Sequence, residues 1–156
     1  MSGLTNQYVE DLGKQIIGKD FLGTFPCDIH PNVKKKNVFY LVFNLSKHDT
    51  KGSHFIAIFA DEKNLVYFDP LGHKCENKDI LSFLKTAKKK RKLKTKFQKI
   101  QSCSSIFCGF FCIAFLLSRY CKEPFHSFFK NFSKTNLKLN DNTVVNYITN
   151  KIYLSA

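Results

Sequence analysis

The run Cys108-Gly-Phe-Phe-Cys-Ile-Ala-Phe-Leu-Leu117 constrains this chain most. Its apolar residues fall almost all round a helix rather than along one stripe, so that helix must be covered on every side and be central to the fold. A chain of 156 residues, 44% of them apolar, suffices for one domain with a core of ordinary size. The run opens on a cysteine, and an amide, Gln101, stands seven positions earlier. A thiol at the start of a helix meets unpaired N–H groups and the positive end of the helix dipole, which favour the thiolate. A nearby amide can donate to a developing oxyanion. Cys108 is therefore the candidate nucleophile and Gln101 the candidate oxyanion donor.

A nucleophilic thiol needs a base. Gly52-Ser53-His54 leads into the strand-like run Phe55-Ile-Ala-Ile-Phe, which turns at Asp61-Glu-Lys-Asn64 and returns as Leu65-Val-Tyr-Phe-Asp69-Pro-Leu-Gly72. A turn symmetric about the Glu62/Lys63 bond places Ile56 opposite Asp69, with His54 and Asp69 diagonal neighbours on one face. An odd-numbered loop would send Asp69 to the other face. The other histidines compete less well as bases: His30 precedes a proline, His48 lies in a polar turn, His73 follows Gly72, and His126 sits in an aromatic segment.

The order His54, Asp69, Gln101, Cys108 resembles that of the adenovirus-type cysteine proteases, the adenains. The shared elements are a histidine after a Gly-containing bend, an acid in an aromatic-acid-Pro-x-Gly context, and Gln-x6-Cys-Gly-x-Phe-Cys. The segment Asp20-Phe-Leu-Gly-Thr-Phe25 also looks like the family's N-terminal Phe-Leu-Gly-Thr-aromatic block. The resemblance runs from about residue 5 to about residue 121 and leaves the C-terminal segment unassigned. It implies a single adenain-like domain over residues 1–156, α+β, with a papain-like arrangement in which the histidine and acid precede the cysteine. By the same resemblance the chain is a viral maturation endopeptidase that cleaves virion precursor proteins at small-residue or glycine-containing sites. It would work without a metal or organic cofactor, in the virion and host nucleus, as a monomer stimulated by DNA and a viral activating peptide. Adenovirus enzymes carry glutamate where Asp69 stands, so the shorter side chain must be brought closer to His54. They also bind their activating peptide through a cysteine upstream of the glutamine, whereas residues 88–94 contain none. Disulfide-linked activation in that form is not expected, and Cys75 or Cys103 would require a different geometry. Two rival functions share these features: a protease for ubiquitin-like modifiers, and a non-catalytic basic DNA-binding or packaging protein on the same scaffold.

Twenty-five Lys and Arg against twelve acids give a formal charge of +13. Such an excess favours polyanions without specifying sequence readout. It concentrates around Lys88, Lys89, Lys90, Arg91, Lys92 and Lys94, a candidate nucleic-acid track bound by non-specific electrostatics. No apolar run is long enough to span a bilayer, and the N-terminal residues lack signal-peptide order, so an intracellular protein without membrane association is expected. Six cysteines in such a chain are expected to be reduced thiols, and without two C-x-x-C pairs a zinc site is not expected. Packing roles are expected for Cys27, Cys75, Cys103, Cys112 and Cys121.

Periodicity predicts a helix over 6–17, a packed loop over 21–31 and a strand over 37–44 that is buried on both faces. After the hairpin it predicts a helix over 77–90, a strand over 96–100, the buried helix from 108 and a short helix over 125–129. A terminal helix capped by Asp141 completes the expected mixed sheet flanked by helices.

Overall fold

The computed structural model of the chain describes residues 5–49 and 54–154. The Gly52-Ser53 bend lies outside the described residues. Thr5 opens the first helix, α1 (Asn6–Ile17), where its hydroxyl accepts the Tyr8 N–H at 3.1 Å. Five strands follow one another in space as in sequence: β1 (Phe21–Pro26), β2 (Phe39–Asn44), β3 (Phe55–Ala60), β4 (Asn64–Phe68) and β5 (Lys92–Thr95). The outer pairs β1/β2 and β4/β5 are parallel, and the two inner pairs are antiparallel. The α+β mixed sheet is thus as expected. Helix α2 (Lys78–Lys88) makes the crossover from β4 to β5, and α3 (Cys108–Tyr120), α4 (Phe125–Lys130) and α5 (Leu139–Leu154) follow the sheet.

Alternation along the strands sorts the core into two layers. Tyr40, Val42, Phe55, Ala57, Phe59, Val66 and Phe68 face α3 and its neighbours α1, α4 and α5. Phe39, Leu41, Phe43, Ile56, Ile58, Leu65 and Tyr67 face α2. Both sides of β2 and β3 are therefore buried, which explains their uninterrupted apolar sequences. Helix α3 is covered all round, as its composition demands: Phe111, Cys112, Ile113, Ala114, Phe115 and Leu116 have no exposed surface. Phe115 stacks on Phe68 of β4 with ring centroids 4.3 Å apart and planes 12° apart. Each buried aromatic contributes about 1.5–3 kcal/mol from area alone, so this layer is a large contributor to the fold's stability.

Four local expectations change. The segment over 21–31 is not all loop, because its first six residues pair with β2 as an edge strand. Pro26 is tolerated at its end because an edge strand has one side unpaired, and the Phe21 ring lies where a Cβ on Gly13 of α1 would sit, at 2.3 Å. The strand expected over 96–100 instead forms at Lys92–Thr95, alongside the free edge of β4. Asp141 does not precede its helix as a cap but lies within the first turn of α5, where its carboxylate accepts from Ser105. Cys27 and Cys112 are buried as expected and Cys75 is half-buried, but Cys103 and Cys121 are exposed; Cys121 sits past the covered length of α3.

Arg91 leaves the candidate nucleic-acid track. It is 6% exposed, and its guanidinium donates to the carbonyls of Asp61, Ala87, Lys36 and Asn37 at 2.6–3.0 Å. It ties the β3–β4 turn, α2 and the approach to β2 together, and burial withdraws it from any phosphate. Lys89 donates to the Lys34 carbonyl, Lys88, Lys90 and Lys92 are exposed, and Lys94 is half-buried.

The turn after β4 binds the sheet to the chain entering α3. Leu71 N–H reaches Asp69 Oδ1 at 2.8 Å, and Gly72 N–H reaches the Asp69 carbonyl at 2.9 Å. Gly72 has φ +76, and a Cβ there would lie 2.8 Å from the Lys99 backbone nitrogen. Backbone cannot yield as a flexible side chain can, so both conformation and contact require glycine. Gly72→Ala is expected to destabilise the protein by about 1–3 kcal/mol, read as a lower urea midpoint at unchanged slope; an unchanged midpoint would contradict this close approach.

Candidate active site

The hairpin register settles which face Asp69 takes. Ala57 pairs with Phe68 and Ala60 with Leu65, so the even turn puts Ile56 opposite Asp69 by continuation. His54 Nε2 and Asp69 Oδ1 are 2.8 Å apart, with side-chain exposures of 14% and 3%. Asp69 has a fixed direction, because the same Oδ1 accepts the Leu71 N–H and holds the carboxylate in its own turn. The backbone of His54 is fixed as well: its carbonyl accepts the Leu45 N–H at 2.9 Å, and the Leu45 carbonyl accepts from Asn77, the cap of α2.

Cys108 is the first residue of α3, 9% exposed, and its thiol lies near enough to the His54 ring to influence the ring's charge. Since Nε2 is engaged with Asp69, Nδ1 is the ring nitrogen left for the thiol. Burial of His54 opposes its charge, but the hydrogen bond to Asp69, the neighbouring Cys108 thiol and the charges of both outweigh it, and the imidazole pKa rises to about 9. At neutral pH the ring is thus held as imidazolium beside Asp69. Cys112, one turn further on, makes an instructive contrast. Burial, with the nearby charges of Cys108 and Asp69, pushes its thiol well above its ordinary range, so it stays protonated and inert.

Gln101 is 2% exposed. Its backbone N–H and that of Ile100 both reach the Pro70 carbonyl at 3.0 Å, which docks this segment on the turn that carries Asp69. The side-chain Nε2 donates to the Ser105 carbonyl at 3.1 Å; an amide nitrogen carries two hydrogens, so one remains for another acceptor. Its Oε1 is buried with no hydrogen-bond partner among the described residues. Buried polar atoms without a partner are uncommon, so this one calls for an explanation beyond packing.

The structure therefore joins His54 to Asp69 by a direct hydrogen bond, sets Cys108 close enough to influence the same ring, and ties Gln101 to the segment entering α3 through Ser105. A cleft of about 590 Å³ opens beside Asp69, with Tyr67, His73, Lys74 and Glu76 among its walls. Among the described residues no group of three His, Cys, Asp or Glu side chains is set to hold a metal ion. Sequence reasoning missed Pro70 as a backbone acceptor and Ser105 as the hub of the loop before α3. The local sign of Ser105 is its hydroxyl accepting from Phe107 N–H two residues on, a turn pattern that several nearby serines could equally have made.

No protein-family model and no curated protein matches this sequence. Among solved structures, the crystal structure of ASFV pS273R protease superposes with a TM-score of 0.64 at 17% identity, covering 92% of this chain and 66% of that one. The Se-Met form of the same protease gives a TM-score of 0.61 at 18% identity over 91% of this chain and 67% of the other. The chain spans about two thirds of the length of these structures and shares their fold.

Proposed function

We propose that this chain is a cysteine endopeptidase of viral type, adenain-like in its order of catalytic residues, which processes virion precursor proteins. The observation that carries this reading is one imidazole hydrogen-bonded to a buried carboxylate and set beside a thiol at the first residue of a buried helix. The shared fold with a protease supports it, as does the order of the four residues.

In this mechanism His54 shares the Cys108 proton, and the thiolate attacks a peptide carbonyl to form a C–S bond. Charge developing on the carbonyl oxygen is met by the free N–H of Gln101 and the backbone N–H of Cys108, with about 3 kcal/mol of transition-state stabilisation from each donor. Imidazolium then protonates the amine as the C–N bond breaks. Water, deprotonated by the same imidazole, hydrolyses the thioester and restores the thiol. Protons and electrons balance throughout using the protein's own groups. Asp69 keeps Nε2 protonated and stabilises the positive ring.

The basic surface adds a second element to the proposal. Lys88, Lys90 and Lys92 remain exposed after Arg91 and Lys89 are accounted for, and on a chain of net charge +13 they offer a non-specific contact to DNA. Such contact would confine the protease to packaged nucleic acid and its associated precursors, in virion and nucleus.

Three kinds of measurement test this reading. Incubated with a peptide library rich in glycine and small residues, the wild-type chain should release fragments. Cys108→Ala and His54→Ala should fall to background, and Gln101→Ala should lose about 10²–10³-fold in kcat; cleavage by Cys108→Ala would remove the proposed nucleophile. The proton on His54 is needed for departure of the amine, so kcat/KM should decline as pH rises through about 9. Asp69→Asn keeps the shape but removes the charge and should move that alkaline limb to lower pH; an unmoved limb would contradict the role of Asp69. The same raised pKa means that folded-state stability linked to His54 is complete below its ordinary value and is lost as pH rises through about 9. Finally, charge reversal at Lys88, Lys90 and Lys92 should weaken DNA binding and shallow its log–log salt slope by roughly one for each phosphate no longer neutralised, with peptide cleavage intact. Unchanged binding would take this surface out of the proposal.

A further inference from the structure

The C-terminal segment follows the part of the chain on which the catalytic motifs lie, yet its last helix reaches back to the loop between Gln101 and Cys108. At one end of that loop, Asn140 Nδ2 donates to the Ile100 carbonyl at 2.8 Å; Asn140 is itself fully buried and bonded to both the N–H and the carbonyl of Ser133. At the other end, Ser105 Oγ donates to Asp141 Oδ1 at 2.7 Å and accepts the Phe107 N–H at 3.1 Å. Adjacent residues in the first turn of α5 thus hold both ends of the loop. Between those anchors, the Ser105 carbonyl takes the Gln101 side-chain N–H.

We propose that Asp141, acting through Ser105, is a positioning residue for the oxyanion hole, with Asn140 fixing the opposite end of the same loop. This inference rests on the peptidase reading above. Ser105 is the joint through which one carboxylate can set two things at once. Its carbonyl fixes the rotation of the Gln101 amide, and its hydroxyl fixes the N–H of Phe107, the residue directly before Cys108. The Asp141–Ser105 contact is a short hydrogen bond to a carboxylate, which is stronger and more directional than a neutral one. Without it the serine hydroxyl can rotate, the Phe107 N–H loses its acceptor, and the 101–107 loop is free to shift. Donors in an oxyanion hole act through placement, and a displacement of about 1 Å can cost on the order of 10²-fold in rate. His54 is held by Asp69 on the hairpin and α3 by its packing in the core, so the meeting of imidazole and thiol depends less on this loop than the Gln101 amide does. Disturbing Asp141 should therefore impair reactions that pass through an oxyanion and spare those that do not.

Two reagents separate these cases without knowledge of the natural substrate. With p-nitrophenyl acetate, Cys108 Sγ attacks the acetyl carbon, a C–S bond forms, and the C–O bond breaks as p-nitrophenolate leaves with its electron pair. That route passes through a tetrahedral oxyanion. With iodoacetamide the same sulfur displaces iodide at a saturated carbon, and no oxyanion forms. The ratio of acylation to alkylation rates, each corrected with the Cys108→Ala chain as blank, reports the oxyanion hole alone.

Asp141→Ala and, independently, Ser105→Ala should lower this ratio by about tenfold while alkylation stays near wild type. Asp141→Asn keeps an acceptor oxygen for the Ser105 hydroxyl and should recover most of that loss. In a Gln101→Ala background, Asp141→Ala should cost little more, because the donor it positions is already gone. The inference is overturned if the ratio is unchanged in both alanine variants, if Asp141→Ala costs as much with Gln101 absent as with it present, or if alkylation falls in step with acylation. A wild-type chain that acylates no faster than its blank would instead remove the peptidase reading, and this inference with it.

Discussion

The turn Asp69-Pro70-Leu71-Gly72 is the constraint on which the rest of the site depends. One side chain in it orients the His54 imidazole, one carbonyl receives the backbone N–H groups of Ile100 and Gln101, and one glycine lets the chain at Gln98 and Lys99 pass within backbone contact. Base and oxyanion donor come from segments more than forty residues apart in sequence, yet both are referenced to this single turn. Its own shape is held by Leu71 N–H on the same carboxylate oxygen that meets His54. An acid placed on a mobile side chain would lose rotamer entropy each time it engaged the ring; here the turn has already fixed it.

What holds the turn in place is packing. Phe68, directly before Asp69, stacks on Phe115 in the middle of α3, so the strand that ends in the acid and the helix that begins with the nucleophile share one aromatic layer. On the opposite face, α2 covers the sheet, and its capping residue Asn77 reaches the loop behind His54. The buried Arg91 closes the far side by binding carbonyls from three segments. A guanidinium bonded to four carbonyls is satisfied without a counter-anion, which is why this arginine belongs to the scaffold although it lies inside the most basic stretch of the sequence.

Much of this was legible beforehand wherever periodicity and local turn chemistry decide structure. The even turn at Asp61–Asn64 fixed the His54/Asp69 register, and the all-round apolar run fixed α3 as the buried helix. The missed features depend on partners distant in sequence. Strand β1 exists because β2 offers a parallel edge, and its glycine and proline hid that from local reading. Ile100 gave the apolar signal of a strand, but it is buried in an irregular segment held by Pro70 and Asn140, while the basic Lys92–Thr95 took the strand position. Exposure of Cys103 and Cys121 was likewise invisible, because a small residue's burial is set by what folds over it. The link from Asp141 to Ser105 spans thirty-six residues and carries no local pattern at all.

The central claim is that the environment of Cys108, and not its accessibility, makes it reactive. Cys103 and Cys121 are exposed, whereas Cys108 is 9% exposed. Limiting iodoacetamide at neutral pH, followed by peptide mass mapping, orders the six thiols by reactivity. The account requires Cys108 to be alkylated first and His54→Ala to abolish that priority. Labelling that follows exposure, with Cys103 and Cys121 ahead of Cys108 in the wild-type chain, would contradict it.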